Sequence, residues 1–159
     1  MSFNCQQLKK VIIEPSLLAI GLFSDSAVNL LLGTCAVESQ LGTYLIQEGI
    51  GFKGAVGIFQ MQEPTFNDIW QRKVNNNLVL IARISLFLGY VKKPAFARLA
   101  SDLSLAAIMA RLFYANVSEP LPKANDIPGM AIYYKKYWNT AMGKATEQDF
   151  IDAYKKYII

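Results

Sequence analysis

The chain has no histidine among its 159 residues. That excludes Ser-His-Asp and Cys-His nucleophilic catalysis, His-ligated zinc and a histidine general base. Cys5 and Cys35 are the only thiols and neither sits in a C-x-x-C pair, so no disulfide framework, no metal site and no cofactor is expected. Proton chemistry near neutral pH is left to a carboxylate in a tuned environment. Glu38 has the right position for that work. It follows Cys35 by three residues and Leu31 by seven, which puts it on their helical face near the helix C-terminus. Desolvation and the negative helix end would both disfavour its anion, the means by which a Glu stays protonated to act as a general acid. The same periodicity also allows the apolar stripe to end one turn earlier, leaving Glu38 solvated.

The segments around Glu38 read mostly as helices. Ser24-Asp25-Ser26 offers N-cap residues for a helix from Ala27 to Leu41 that Gly42 ends, with Ala27, Leu30, Leu31 and Cys35 on its apolar side. From Glu48 to Pro64 the glycines Gly49, Gly51, Gly54 and Gly57 predict turns and a small hairpin. Thr65-x-x-Asp68 has capping-box spacing for a short helix through Trp70, and Asn75-Asn76-Asn77 is a break. Leu78 to Val91 is apolar nearly all round, which predicts a helix central to the core. Pro94 opens the next helical stretch, Ser101-Asp102 caps Leu103 to Asn116, and the proline-rich stretch from Glu119 to Gly129 predicts a loop. Met130 to Trp138 forms an aromatic helix, and Thr146-x-x-Asp149 caps the last one. Residues 1–159 thus read as a single, mainly α domain with a small Gly-rich hairpin or loop region.

Two stretches in order, GTCAVESQLGTYL and GAVGIFQMQEPT, resemble the lysozyme-like lytic transglycosylase superfamily. Its members carry a helix-ending Glu-Ser pair, then a Gly-(Leu/Ile)-(Met/Phe)-Gln turn, then a Pro and a helix start. Glu38-Ser39 and Gly57-Ile58-Phe59-Gln60 match that order. The later AIYYKKYWNTAMGKAT resembles the Tyr-rich helix and Asn-Thr-x-x-Gly-Lys turn of lysozyme-like proteins encoded by tailed bacteriophages. The resemblance spans roughly Leu30 to Phe150 and implies an α+β, lysozyme-like fold.

It also implies cleavage of the bond between N-acetylmuramic acid and N-acetylglucosamine in peptidoglycan, with Glu38 as the general acid. Ser39 and Gln60 are natural hydrogen-bond supports for the carboxyl or for substrate amides. Gly54 and Gly57 let backbone lie against a sugar chain, with Phe59 beside them. Among Tyr44, Tyr134, Tyr137 and Trp138, one or two would face sugar. Asn139 matches the family's Asn, and its tyrosine partner is either Tyr134 or Tyr137. Ordinary glycosidases use two carboxylates. Glu48, Glu63 and Asp68 lie in or beside the Gly-rich segment, and Glu63 is the candidate second acid. In the resembled family one Glu suffices, because the substrate's acetamido group assists and the muramyl 6-hydroxyl closes to an anhydro product.

Composition bounds the rest. Apolar residues are 53% of the chain and charged ones 18%, enough for a core and too little charge for disorder. The net charge of +4 comes as scattered basic pairs, which favours a solvated surface over a nucleic-acid groove. Glu14 and Pro15 interrupt the apolar N-terminal run, no cleavage site follows, and no transmembrane segment is expected. A product made in a host cytoplasm without a signal peptide, yet acting at the bacterial wall, fits a phage protein carried in the virion or released through a holin. Its partners would be peptidoglycan strands and other virion proteins. The alternative reading is a non-catalytic virion protein that keeps the fold as a structural or glycan-binding module.

Overall fold

The computed structural model describes residues 1–159 and is mainly helical, with one two-stranded antiparallel sheet. Helix α1 covers residues 5–19 as Cys5–Gln7, a wide-turn stretch Leu8–Ile13, and Glu14–Ala19. The widened turn is adjacent to Pro15, which has no N–H to give; the Glu14 N–H reaches back five residues to the Lys9 carbonyl.

Helix α2, Asp25–Ser39, starts where Ser24 accepts the Ala27 N–H. It packs against α1 and three later helices and is buried on nearly every side from Ala27 to Ala36. The helix stops two residues short of the expected Leu41. Gln40 and Leu41 both turn left-handed, with φ of 52° and 51°. Ser39 stabilises this early exit by accepting the Gly42 N–H at 2.9 Å.

The hairpin predicted in the Gly-rich stretch is present. Strands β1 (Ile46–Gln47) and β2 (Gly51–Val56) pair with Ile46 opposite Val56 and Gln47 opposite Gly51, with a bulge between. The chain then folds back a second time, because Val56 bridges to Met61 around the four residues from Gly57 to Gln60. Gly57 is obligatory there. Its φ is 83°, and a Cβ would lie 2.5 Å from the Leu99 carbonyl oxygen.

Helix α3 covers residues 63–74, as Glu63–Ile69 and a wide-turn end Trp70–Val74. The expected capping box at Thr65 is not used. Pro64 falls in the first turn, which its fixed φ favours, so the helix opens at Glu63 and Thr65 lies inside it. Helix α4, Leu78–Leu88, is capped by Asn77, but it is not central to the core. Only Leu80 and Ile84 are buried, while Leu78, Val79, Leu86 and Phe87 face solvent. An all-round apolar sequence gives no direction to its burial, and here tertiary packing covers one side only.

A 3-10 helix, Phe96–Ala100, leads to α5, Leu103–Ala115, which Asp102 caps as expected. After the loop, α6 covers residues 127–139, as Ile127–Tyr134 and the wide-turn Lys135–Asn139, with Asp126 capping Gly129. Helix α7, Glu147–Tyr157, carries the complete Thr146–Asp149 capping box. It lies across α2 and α6.

Candidate active site

Glu38 lies one residue from the end of α2, half-buried, at the edge of an open cleft of about 690 Å³. One wall comes from the hairpin and its second turn, with Gln47, Ala55, Gln60 and Met61, continued by Gln62 and Thr65. The other is the end of α6 and the turn after it, from Trp138 through Lys144. Glu38 is the one carboxylate lining the cleft, and Lys144 the one cation.

Burial pushes the Glu38 carboxyl up from an ordinary 4.5 to about 7, and hydrogen bonds from Tyr134 and Trp138 offset part of that rise. The Tyr134 hydroxyl donates to Glu38 Oε1 at 2.6 Å. Tyr134 is itself fully buried, and desolvation with the nearby Glu38 charge raises its own pKa, so it remains a donor. Glu38 can therefore hold a proton near neutrality while its orientation is fixed by a neighbour that does not titrate there.

The parts behind the acid are aromatic. Trp138 packs against Phe59, Phe113 and Tyr114, with ring centroids 6.5, 4.7 and 5.3 Å away. The buried Tyr114 hydroxyl is satisfied by Thr34 Oγ1 at 2.8 Å. Tyr134 is backed by Phe150 of α7, with centroids 5.2 Å apart. Phe150 in turn fills the space that a side chain at Gly33 of α2 would take.

The wall after α6 is tied by Lys135, whose ammonium donates to Asn139 Oδ1 at 2.6 Å, Ala145 O at 2.7 Å and Gly143 O at 3.0 Å. This uses all three ammonium protons. Asn139 lies against Tyr134, and Gly143 passes too close to the Asn139 amide for any Cβ. Backbone strain collects at the same place. Thr140, a β-branched residue with φ 61° and ψ 178°, and Gln60, with φ 48°, both line the cleft.

The structure distributes the residues singled out from sequence as follows. Glu38, Gln60 and Asn139 meet at the cleft. Of the two tyrosines left open, Tyr134 touches Glu38, whereas Tyr137 points to the outer surface, where its hydroxyl donates to the Glu119 carboxylate beside Lys136. Ser39 is fully buried and supports the loop rather than the acid, donating to Ile58 O at 2.6 Å. The Gln60 amide donates to Gly57 O at 2.8 Å, closing its own turn. Gly57 and Phe59 are buried beneath that turn, so neither presents itself to a ligand. Glu63 is exposed in the first turn of α3 and does not reach the cleft lining; nor do Glu48 and Asp68. Sequence reasoning missed Lys135 as a clamp and Thr34 and Tyr114 as support. The Asn-Thr-x-x-Gly-Lys turn was the available signal for the first, and nothing local marked the other two.

No cluster of three or more His, Cys, Asp or Glu is present to hold a metal ion. Comparison with protein-family models, curated proteins and solved structures gives no match.

Replacing Tyr134 by Phe removes a bond that favours the ionised acid, so the Glu38 pKa is expected to rise further. A carboxyl titration followed by NMR should place the Glu38 midpoint above the parent's value of about 7. A midpoint that stays in place would show that the hydroxyl does not control this proton.

Proposed function

We propose that the chain is a peptidoglycan-cleaving enzyme of lysozyme-like fold, acting on the muramyl–glucosaminyl β-1,4 bond with Glu38 as its single acid. The observation that carries this reading is a carboxyl held near pKa 7 by burial, facing an open cleft with no second carboxylate in its lining. Protonated Glu38 gives its proton to the glycosidic oxygen as that bond breaks, and its anion then takes a proton from the incoming hydroxyl.

A hydrolase of the ordinary kind needs a base or nucleophile across the sugar, and the lining of this cleft supplies none. The reading therefore favours assistance by the substrate's acetamido group and closure by the muramyl 6-hydroxyl, which gives 1,6-anhydro ends. The polar walls suit an amide-bearing glycan: Gln47, Gln60, Gln62 and Asn139 offer amide groups, and Trp138 an aromatic surface. The carrier proposed for such a product is a bacteriophage, in the virion or at host lysis.

The deciding experiment is digestion of purified peptidoglycan with mass analysis of the products, run beside Glu63→Gln. Anhydromuramyl ends and full activity of Glu63→Gln are expected. Reducing muramic acid ends, together with loss of activity in Glu63→Gln, would mean a two-carboxylate hydrolase. No release of fragments at all would favour a binding module.

A further inference from the structure

The outward face of α4 is apolar where the outer face of a helix is ordinarily polar. Leu78, Val79 and Leu86 are 82%, 60% and 91% exposed, and the exposed Ala82 lies between them on the same face. Arg83 is the helix's one charge, and it leans sideways to donate to the Ile20 carbonyl at 3.0 Å. Neither the core nor the cleft uses this surface.

The segment that carries this face has charge of one sign. Between Asp68 and Asp102 the chain carries Arg72, Lys73, Arg83, Lys92, Lys93 and Arg98 and no acid. The whole chain is only +4, so everything outside that segment is net negative. Two of these bases lie beside the apolar face in space, since Lys73 and Arg83 share a shallow groove with Val79. The two flanking acids are engaged, Asp68 with Arg72 at 2.6 Å and Asp102 with the Tyr90 hydroxyl at 2.9 Å.

We propose that this face docks the protein on the surface of an anionic phospholipid bilayer. α4 lies flat, its Leu and Val side chains enter the boundary between headgroups and acyl chains, and Lys73 and Arg83 beside them meet lipid phosphates. The apolar centre argues against a nucleic acid, which would leave those side chains uncovered, and the one-sided charge selects an anionic partner. Attachment is peripheral, since no helix is long and apolar enough to cross a membrane.

The test is flotation with vesicles of phosphatidylcholine containing about a third phosphatidylglycerol, beside pure phosphatidylcholine vesicles. The proteins compared are the parent and the double variant Val79→Gln/Leu86→Gln, whose neutral replacements leave the charge alone. Both sites are exposed, so an unchanged melting curve is expected and confirms folding. The parent should float with the anionic vesicles and lose binding in concentrated salt, and the double variant should bind roughly tenfold or more weakly. Three results would each overturn the proposal. They are no flotation of the parent, equal flotation of the variant, and a parent dimer that the variant dissolves while neither protein binds vesicles. Catalysis is not read out, so the outcome is separate from that of the peptidoglycan digest.

Discussion

On the proposed function, Glu38→Gln is expected to lower peptidoglycan cleavage by roughly 10²–10⁴-fold, the contribution of a positioned general acid. Gln keeps the oxygen that accepts from Tyr134, so the wall geometry should survive and the loss can be read as loss of the proton. The parent's rate should fall as pH rises through about 7, where the acid ionises, and the variant's residual rate should lack that limb. Stability should change in the opposite sense. A carboxyl with a folded pKa of about 7 and an ordinary one of 4.5 costs the fold nothing below 4.5, where both states hold the proton. The cost grows between those values and is constant above 7. The variant never ionises, so in mildly alkaline buffer it should be more stable than the parent by about 3 kcal/mol, and in acid it should gain nothing. Retained turnover, or a stability gain that persists in acid, would remove Glu38 from its assigned role.

The second large effect is on stability. Phe150→Ala should cost about 3–5 kcal/mol, the range for emptying a fully buried phenyl site. The melting midpoint should drop on the order of 10 °C. The site cannot readily collapse, because the ring is held between the backbone at Gly33, the Tyr134 ring and Tyr154. A cost below about 1 kcal/mol would mean that α7 is not locked onto α2 in this way.

Local signals in the sequence were reliable where the determining contact is itself local. Ser24, Asp102 and the Thr146–Asp149 box cap helices within three residues of themselves, and each was legible. Glu38 could be assigned to the face of Leu31 and Cys35 from spacing alone, since helical geometry fixes that relation. Spacing could not say that the face opens at Glu38 into a cleft rather than closing over it.

The failures share a cause. α4 reads as a core helix because it is apolar nearly all round, and only the positions of its neighbours decide which face is covered. Tyr134 and Tyr137 are chemically equivalent in sequence. What separates them is a three-residue offset around α6, short of a full turn in its wide-turn end, which aims one at α2 and the other at Glu119. Thr65 has an ideal capping sequence, yet Pro64 had already committed the preceding residues to the helix. Ser39 reads as a partner for the acid beside it, but its side chain points back to Ile58, a contact across 19 residues that no local pattern announces.

The bond from Tyr134 to Glu38 joins residues 96 apart in sequence, and Phe150 behind it comes later still. A ribosome adding residues one at a time makes the acid early and its orienting partner late. Until those residues are made, Glu38 lacks Tyr134, Trp138 and the far wall of the cleft, and with them the burial that lifts its carboxyl. The last quarter of the chain thus completes the environment of a side chain laid down in the first.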